Sequence, residues 1–440
     1  MHSTTFNKLR VNMAEQFKES VSEPSPNTQI YLVYGKVDAW ANDSSPDIAT
    51  STVTSEYDLW RNMIGGKKIT GNDMQHIIPR YNWNTGTSYI AYDDNSPNLQ
   101  NGSPFYVLTS SNRVYKCLSN NYSSVSTVEP TAVNPLSTTD TADGYRWKYM
   151  YTVSDSDLLR FTTTDYIPVK TLSSDDGSDQ WVVQTNATQE IDSIIVISGG
   201  SNYTNANSIS VSVITGDGSG LAATARINTV SQTVANVTIT NPGTGYTYAT
   251  VSITGGDGAG ATARAIISPI GGHGSNPLYE LGGSYVLINP RLKADENGIL
   301  PVSNDYRQIG LIKDPYLRGT NAIASNTVFL QAYTITATGS GDYLQDEIVY
   351  QGTSYASSTF SAKVLSWNSS IGTLTVINRV GTLVSGIPLY GATSSTVRYI
   401  TSIKTGDFQD YSGQVLYIDN IKPITRAADQ TEDFKIIVKF

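Results

Sequence analysis

The stretch Ser412–Phe440 (SGQVLYIDNIKPITRAADQTEDFKIIVKF) joins two strand patterns at the end of the chain. The first is an aromatic-containing run, Val415–Ile418, and the second is an alternating run that stops at Phe440. Pro423 predicts a turn after the first strand, and the polar run Asp429–Glu432 predicts a connector before the second. We therefore expect the C-terminus to be held inside a sheet.

The composition also favours β structure. Only 15% of the 440 residues are charged, against about 25% in an average soluble domain. Abundant Tyr, Gly, Ser and Thr take the place of the missing charge, and this mixture favours strands and tight turns over helices. The length suffices for about three domains of roughly 150 residues, each able to bury its own core.

Charge, cysteine content and apolar runs argue against several classes of protein. The formal net charge is −9 and the pI is about 4.9, so the chain lacks the basic face that nucleic-acid binding needs. Cys117 is the only cysteine, which rules out an intrachain disulfide and predicts a small buried side chain. The N-terminus lacks the apolar core of a signal peptide, and no apolar run approaches the roughly twenty residues that span a bilayer. We expect a soluble protein without nucleic-acid or membrane partners.

Two helices are predicted near the start of the chain. From Thr5 to Val21, apolar residues recur at three- and four-residue intervals, which predicts an amphipathic helix. The apolar run Ile30–Tyr34 is typical of a buried strand. Ser55 can cap a second helix over Glu56–Ile64, and Gly65-Gly66 can end it. The apolar side of the first helix consists of Phe6, Leu9, Met13, Phe17 and Val21.

Strands dominate the following part of the chain. Aromatic and β-branched runs predict strands at Phe105–Leu108, Arg113–Leu118 and Tyr145–Val153. Between the last two lies a Ser/Thr/Pro-rich loop, Asn120–Thr141, which is long enough to suggest a role in contacts.

An internal repeat occupies Ile191–Ile267. Its first copy reads IIVISGG, SNYT, VSVITGDGSG, ATAR, and its second reads VTITNPG, TGYT, VSITGGDGAG, ATAR. Tyr203 and Tyr246 correspond and are 43 residues apart. Because solenoids need three or more repeats, we expect the two copies to pair into one compact β module. A further segment, Thr327–Ile403, is again all strand and turn, without obvious self-similarity, and predicts a second small β domain.

The repeat contains two glycine-rich motifs, Gly216–Gly220 (GDGSG) and Gly256–Gly260 (GDGAG), that invite a phosphate-loop interpretation. A phosphate loop should open a helix, whereas strand patterns follow both motifs and no Lys-Ser/Thr pair is present. Hairpin turns are the favoured interpretation. One carboxylate per turn is also too few for a Ca²⁺ site without partners from elsewhere.

Histidine is scarce, so metal and hydrolytic sites have few candidates. A three-histidine site would need His2, His76 and His273 together. His76 has Asp73 nearby but no nucleophile elbow, so a structural role in a loop or at a helix end is favoured. His273 lies between glycines, where a turn or interface role is expected. We predict no catalytic, cofactor-binding or metal-binding residues.

Acidic pairs and aromatic residues leave two further possibilities open. Asp93-Asp94 and Asp175-Asp176 could serve a glycosidase only with a second carboxyl across a cleft, and they are more typical of solvated turns. The 28 Tyr and 6 Trp suit protein interfaces and sugar platforms, and equally suit packing between sheets.

Several segments together resemble the baseplate wedge proteins of T-even-like contractile-tailed bacteriophages, the gene product eight family. The fragments are the first helix, the closing segment, and the runs IYLVYGKVDAW, YDLWRNM, HIIPRYNW, VYKCL, DGYRWKYMY and YRQIGLIKDP, in family order. The linker Gly271–Gly283 and the Gly-rich β units resemble structural proteins of cyanobacterial contractile-tailed phages. The resemblance implies fold-defining roles for Trp40, Trp60, Pro79, Arg80, Trp83, Tyr145, Trp147 and Arg307.

The resemblance covers about residues 5–183, 276–318 and 406–440 and omits the two β segments. It therefore implies a β-sandwich-like scaffold with a few N-terminal helices and two inserted modules. The segments are 1–184 (scaffold), 185–275 (inserted repeat), 276–325 (scaffold), 326–404 (second insert) and 405–440 (closing strands).

The resemblance also implies a function. The family members are non-enzymatic, form a homodimer and dock onto other wedge proteins in the virion tail baseplate, after assembly in the host cytoplasm. The alternatives are a receptor- or glycan-binding tail protein, suggested by the aromatic β repeats, and a polysaccharide depolymerase, suggested by the acidic pairs. No cofactor is expected.

Overall fold

The computed structural model describes residues 6–24, 28–96, 99–100, 102–302 and 304–440. The chain forms two compact units, of which the first comprises residues 1–16, 75–287 and 437–440 and the second 17–74 and 288–436. Strands dominate both units, which confirms the predicted fold class of a mainly β, multi-domain protein with few helices.

The secondary-structure elements are numbered in chain order. The helices are α1 (Asn7–Ser22), α2 (Val53–Asn62), α3 (Asp155–Phe161), α4 (Asp179–Asn186) and α5 (Pro277–Glu280). The first strands are β1 (Ile30–Gly35), β2 (Met63–Ile69), β3 (Met74–Pro79), β4 (Tyr106–Leu108), β5 (Arg113–Asn120), β6 (Thr139–Asp140), β7 (Tyr145–Thr152) and β8 (Tyr166–Pro168). Those of the repeat are β9 (Ile191–Ser201), β10 (Ser210–Gly216), β11 (Ser219–Asn228), β12 (Thr233–Thr244), β13 (Ala249–Thr254) and β14 (Ala259–Ile267). The others are β15 (Tyr285–Ile288), β16 (Arg291–Lys293), β17 (Asp305–Lys313), β18 (Val328–Leu330), β19 (Tyr333–Ser340), β20 (Ile348–Gln351), β21 (Phe360–Asn368), β22 (Thr373–Gly381), β23 (Pro388–Gly391), β24 (Val397–Lys404), β25 (Gln414–Thr425), β26 (Thr431–Asp433) and β27 (Ile436–Lys439).

The body of the first unit contains two four-stranded sheets, in the orders β4-β5-β7-β6 and β27-β15-β3-β8. Rings fill its interior: Trp147 is fully buried and stacks on Tyr145, and Cys117 packs in the same cluster. The three strands predicted between residues 105 and 153 are therefore confirmed, and so is the buried cysteine.

The chain ends in a strand, as predicted, because β27 forms the edge of the second of these sheets. The Phe440 amide donates to the Ser284 carbonyl at 3.1 Å. The Phe440 carbonyl oxygen accepts a hydrogen bond from the Arg10 Nε of α1. The final strand and the first turns of α1 thus belong to one compact unit.

Helix α1 confirms the predicted helix, but only part of its apolar side is buried. Phe6, Leu9 and Met13 are 77%, 52% and 46% exposed, whereas Val21 of the same side is buried. In the first turns Val11 and Ala14 are fully buried instead. Val11 lies about 200° around the helix from Leu9, so the core contacts the opposite side there.

The second unit is built on a five-stranded antiparallel sheet in the order β18-β2-β1-β17-β25. Its central strand β1 is buried along its whole length, as predicted. The Tyr31 ring contacts the Phe329 and Phe408 rings, and these belong to a core that also includes Leu59 and Trp60 of α2.

The bounds predicted for α2 are wrong by a turn. The helix begins after Thr52, whose hydroxyl accepts from the Ser55 amide, and it ends before Met63. Gly65 and Gly66 do not stop the helix but lie inside β2. A Cβ on either glycine would collide with the backbone of a neighbouring strand, so close strand packing explains both glycines.

Pro423 was predicted to form a turn, and this is wrong. It lies inside β25, a twelve-residue strand at the edge of the five-stranded sheet. An edge strand accommodates proline because one of its sides has no neighbour that needs an N–H donor. The register of β25 also shifts between Tyr306 and Gln308 of β17, close to the proline.

The two copies of the repeat pair with each other, in the first unit. Strand β9 pairs with β14, β10 with β13 and β11 with β12, so each of these ladders joins one copy to the other. Strands β10 and β11 flank the first Gly-Asp-Gly motif but do not pair with each other. The motif is therefore a tight turn, and the predicted hairpin is wrong. We call β9–β14 the repeat module.

The segment after residue 327 contains the predicted strands, but β18 belongs to the five-stranded sheet. Strands β19 to β24 form a closed barrel in the order β19-β22-β21-β20-β23-β24, within the second unit. Its core includes Ile335, Val349, Phe360, Val376 and Leu389. We call β19–β24 the closed barrel.

The repeat module and the closed barrel share one strand order. In the repeat module, contacts between β9 and β12, β10 and β11, and β13 and β14 complete a ring in the order β9-β12-β11-β10-β13-β14. Adding ten to each number gives the order of the closed barrel. Each ring also has a twofold pattern. If its first three strands are exchanged with its last three, every strand keeps the same neighbours. No repeated pattern in the sequence indicates this likeness.

Candidate functional site

The Gly-Asp-Gly turns tie the two halves of the repeat module together. Asp217 of the first copy accepts hydrogen bonds from the backbone amide (2.8 Å) and hydroxyl of Thr247 in the second. These bonds hold the pKa of the exposed Asp217 carboxyl below its ordinary value. Asp257 of the second copy accepts from the Thr204 hydroxyl of the first at 3.3 Å.

Each turn also carries a glycine that packs on a buried tyrosine. Gly218 lies against the Tyr246 ring and Gly258 against the Tyr203 ring, so closely that a Cβ on either glycine would overlap the ring. Both rings are almost fully buried. The glycine-rich motifs that resemble phosphate loops thus hold the two copies together. We call these tyrosine-on-glycine contacts the locks between the copies.

His273 lies in the predicted turn, but its side chain is buried in a network of charged groups. Lys116 of β5 donates to His273 Nδ1 at 2.8 Å and pairs with Glu280 at 3.1 Å. His273 Nε2 lies 2.6 Å from Asp192 of β9. Because the ammonium group can only donate, Nδ1 accepts and the proton on Nε2 is directed at Asp192. The Tyr92 ring covers the Lys116 ammonium at 4.1 Å.

This network joins the start of the repeat module, at Asp192 of β9, to strand β5 in the body of the first unit. Burial favours a raised pKa for Glu280, but the Lys116 ammonium outweighs it and holds the pKa below its ordinary value. Glu280 Oε1 also accepts from the Gly274 amide at 2.7 Å. A cleft of about 430 Å³, lined in part by Tyr92, Lys116 and Glu280, opens beside the network.

The acidic pair Asp93-Asp94 was expected to lie in a solvated turn, but it binds a residue of the repeat module. Its carboxylates bind the two terminal nitrogens of Arg264 in β14, at 2.7 and 2.6 Å. The pair therefore adds a second contact between the module and the body. Asp175 and Asp176 are exposed and accept hydrogen bonds from turn amides, as predicted.

The closed barrel is held to its own unit by less buried ion pairs. Asp38 binds Lys363 and also accepts from the Asn378 amide group at 2.9 Å. Asp410 binds Arg318 at 2.9 Å and Arg379 at 3.4 Å. A cleft of about 490 Å³ lies here, with Trp60, Tyr333 and Tyr411 among its lining residues.

The Ser/Thr/Pro-rich loop has a fixed course. Asp143 accepts from the backbone amides of Thr127 and Val128 and from the Ser126 hydroxyl. Partial burial favours a raised pKa, but these bonds and one from Thr141 lower the pKa of Asp143 to about 2. The loop presents Tyr122 and Leu136 to solvent.

The other two histidines were also considered as site residues. His76 lies within strand β3 and is buried, not in a loop or at a helix end as predicted, and His2 lies outside the described residues. In the described part of the chain, no group of His, Cys, Asp and Glu has an arrangement that could hold a metal ion. None of the helices described there has the length and apolar character that a bilayer span requires.

The residues implied as fold-defining by the resemblance make structural contacts. Arg307 binds Asp43 through both Nε and a terminal nitrogen, at 2.9–3.0 Å. Arg80 donates to the Thr163 carbonyl, and Pro79 accepts from the Tyr106 hydroxyl. The Trp83 indole donates to Ser126, that of Trp40 donates to the Ile421 carbonyl, and Trp60 and Trp147 are buried.

Sequence reasoning missed the pairings that join distant segments. Lys116, Asp192 and Glu280 were not singled out, because only folding brings them to His273. The repeat itself carries one signal of such a pairing. A Tyr-Thr pair occurs in each copy, at Tyr203-Thr204 and at Tyr246-Thr247, and each pair meets the Gly-Asp-Gly turn of the other copy.

The contacts described above hold the two β modules to the rest of their own units. Residues 3–127 match the family model described as Phage-Gp8: Bacteriophage T4, Gp8. This match confirms the resemblance found in the sequence: residues 3–127 are similar to the Gp8 family of baseplate wedge proteins, and this similarity supports a structural role in the baseplate of the phage tail. No curated protein matches the chain.

Proposed function

We propose that the chain joins other wedge proteins as the baseplate assembles, and that it takes part in the conformational change at host attachment. The observation that supports this most directly is the family match over residues 3–127. The chain acts as a homodimer without enzymatic activity, without nucleic-acid or membrane partners, and assembles in the host cytoplasm. Segments 185–275 and 326–404 are accessory insertions in a scaffold formed by 1–184, 276–325 and 405–440.

The proposed mechanism is geometric. The buried Lys116–Glu280 pair and the Asp93-Asp94 contact with Arg264 hold the repeat module at a fixed orientation within its unit. Rigid modules fix the positions of bound partners, and the surface buried on docking supplies the free energy of assembly. A stable interface of this kind buries on the order of 1,200 to 2,000 Å² or more.

A phage deleted for this gene tests the proposal. We expect infected cells to accumulate incomplete wedges and no mature tails, and expression of the intact chain from a plasmid should restore them. Electron microscopy of the lysate is the measurement. Intact baseplates in the deletion mutant would contradict the proposal.

The same preparation separates the alternatives. A glycan-binding tail protein would leave baseplates assembled but abolish adsorption, and the purified chain would bind host polysaccharide on a glycan array. A depolymerase would release reducing sugar from host envelope material. Neither result is expected for a wedge component.

A further inference from the structure

The cleft beside the closed barrel combines apolar walls with cationic groups. Its volume of about 490 Å³ lies within the roughly 300–1,000 Å³ typical of clefts that hold a ligand. The residues that line it come from α2, from the closed barrel and from the segment between β24 and β25, and all of them belong to the second unit. We call it the barrel cleft.

The apolar part of the barrel cleft consists of aromatic and aliphatic side chains. Tyr333, Leu383 and Ile403 pack against the barrel core and are only partly buried. On the α2 side, the buried Trp60 ring contacts the Tyr411 ring, with centroids 6.3 Å apart, and Tyr411 is 53% exposed. An apolar side chain of a ligand would remove part of this surface from water, which favours binding.

Arg379 places a cation against these apolar side chains. Its guanidinium lies 3.8 Å from the centre of the Tyr333 ring, and its side chain is only 12% exposed. It donates to the Gln331 carbonyl at 3.2 Å and to Asp410 at 3.4 Å. A guanidinium has five N–H donors, so within the described part of the chain three donors remain for a ligand.

The carboxylate beside Arg379 does not neutralise this cation fully. Asp410 also binds Arg318 at 2.9 Å, so two guanidinium groups share one negative charge. Burial holds the pKa of Arg379 below its ordinary value, although Asp410 acts in the opposite direction. The cleft therefore contains a largely buried cation that a further anion would stabilise.

The charges around the cleft leave one positive charge in excess. Arg61 lines the cleft and pairs with Asp58 at 3.7 Å, so this pair is neutral. Lys404 and Asp407, which flank the lining residue Thr405 in the chain, carry opposite charges. The excess positive charge arises where Arg318 and Arg379 share Asp410, in a chain whose net charge is −9. Charge complementarity therefore favours a ligand with a single carboxylate.

We propose that the barrel cleft binds a short segment of another protein in which one Asp or Glu lies beside an aromatic or aliphatic side chain. The carboxylate binds the remaining donors of Arg379, because a guanidinium matches a carboxylate through two parallel N–H bonds. The apolar side chain covers Leu383 and Ile403. This binding activity goes beyond the proposed function, since most of the lining residues lie in segment 326–404, outside the resemblance.

An acidic sugar fits the barrel cleft less well. A pyranose ring stacks on an open aromatic face, but Trp60 is buried and one face of Tyr333 is covered by Arg379. The side chains of Leu383 and Ile403 also offer no hydrogen bonds to sugar hydroxyls, and burying hydroxyls without partners is costly. A peptide places its apolar side chain there and its carboxylate on the arginine.

The test compares two capped peptides, acetyl-Phe-Asp-amide and the uncharged acetyl-Phe-Asn-amide, by saturation-transfer NMR titration of the full chain. We expect the Asp peptide to bind about tenfold more tightly, because hydrogen bonds to charged groups are the stronger ones, and added salt should reduce this preference. Arg379→Gln should abolish it. Arg398→Gln is the matched control: Arg398 lies in the same barrel, is 11% exposed and covers the Trp367 ring at 4.5 Å. It should leave both affinities unchanged.

A second variant keeps the test independent of the folding of Arg379→Gln. Thr382 is an exposed lining residue, so Thr382→Glu should repel the Asp peptide and weaken its binding about fivefold, with the melting temperature unchanged. Equal affinity of the two peptides, or binding of neither, would overturn the proposal. Equal effects of Arg379→Gln and Arg398→Gln would do the same. Digalacturonate that binds more tightly than the Asp peptide would assign the cleft to an acidic sugar. None of these results decides wedge assembly, which the deletion phage tests separately.

Discussion

The repeat module and the closed barrel reach the same strand order by different physical means. The closed barrel has continuous ladders around the whole ring and a core of large apolar side chains. The repeat module has three separate ladders, and many of its inward residues are small and only half buried. It adds tyrosine-on-glycine contacts and carboxylate turns between its copies. One topology can thus be held by a packed core or by specific locks.

The largest expected difference concerns the ion pairs that hold each module to the rest of its unit, and how much stability they contribute. In Lys116→Met the Glu280 carboxylate stays buried without its cation, which should cost about 3–5 kcal/mol of the stability of the first unit. Hydrogen exchange in β5 and β9 measures the loss. Lys363→Met is the matched control, and it should cost only about 1 kcal/mol because its partner Asp38 is half exposed. Equal losses of stability would show that the burial of an ion pair does not determine its contribution here.

The second test removes a lock of the repeat module. Tyr246→Ala deletes a buried ring and opens a cavity over Gly218, so we expect a loss of about 3 kcal/mol. Exchange should accelerate in β11 and β12 while the closed barrel keeps its protection. Tyr248→Ala, two residues away and exposed, should change stability by less than about 0.5 kcal/mol. If both variants behaved alike, the ring would not be a lock.

The third test asks whether the two modules match at the level of single residues. Gly243 and Gly381 both have positive φ, and a Cβ on either would strike the carbonyl of Ser219 or Thr359, which lies at the start of the neighbouring strand. Gly243→Ala and Gly381→Ala should each cost about 2 kcal/mol or more. Gly386→Ala has positive φ but open space around it, so thermal unfolding should show a loss of about 1 kcal/mol.

The smallest effect concerns pH. The pKa of Asp217 is lowered in the folded chain, so its contribution to stability is fully present above the ordinary carboxyl pKa of about 4 and is lost as pH falls through the lowered value. Protection of the Thr247 amide, corrected for the intrinsic exchange rate, should decline over that range. In Asp217→Asn the decline should be absent, whereas Asp257→Asn should behave like the wild type at Thr247.

The strands were predictable where local pattern and burial agree. Ile30–Tyr34 and Tyr145–Val153 are apolar or aromatic runs between turn residues, and both form buried strands. The outer stripe of α1 was misjudged because periodicity identifies a helix face but not the side on which the core lies. Pro423 and Gly65-Gly66 were misjudged because their places in a sheet depend on neighbours that are distant in sequence.

The candidate site was less predictable than the fold. The His273 network joins residues from four segments, and no local spacing reports such a meeting. The likeness of the two modules could not be predicted from the sequence. A shared strand order determines which positions point inward, but different apolar residues can occupy those positions. The Tyr-Thr pairs of the repeat show that conserved spacing within one chain can reveal a contact when a duplication is present.

The ladders of the repeat module all connect one half to the other, and the described strands of either half form none among themselves. The link between the halves, between Asn228 and Thr233, is a surface turn in which Val230 is 94% exposed. A protease that cuts this turn would therefore sever the backbone without removing a single ladder. The nicked module would behave as two interlocked fragments, each of which serves as the folding template of the other.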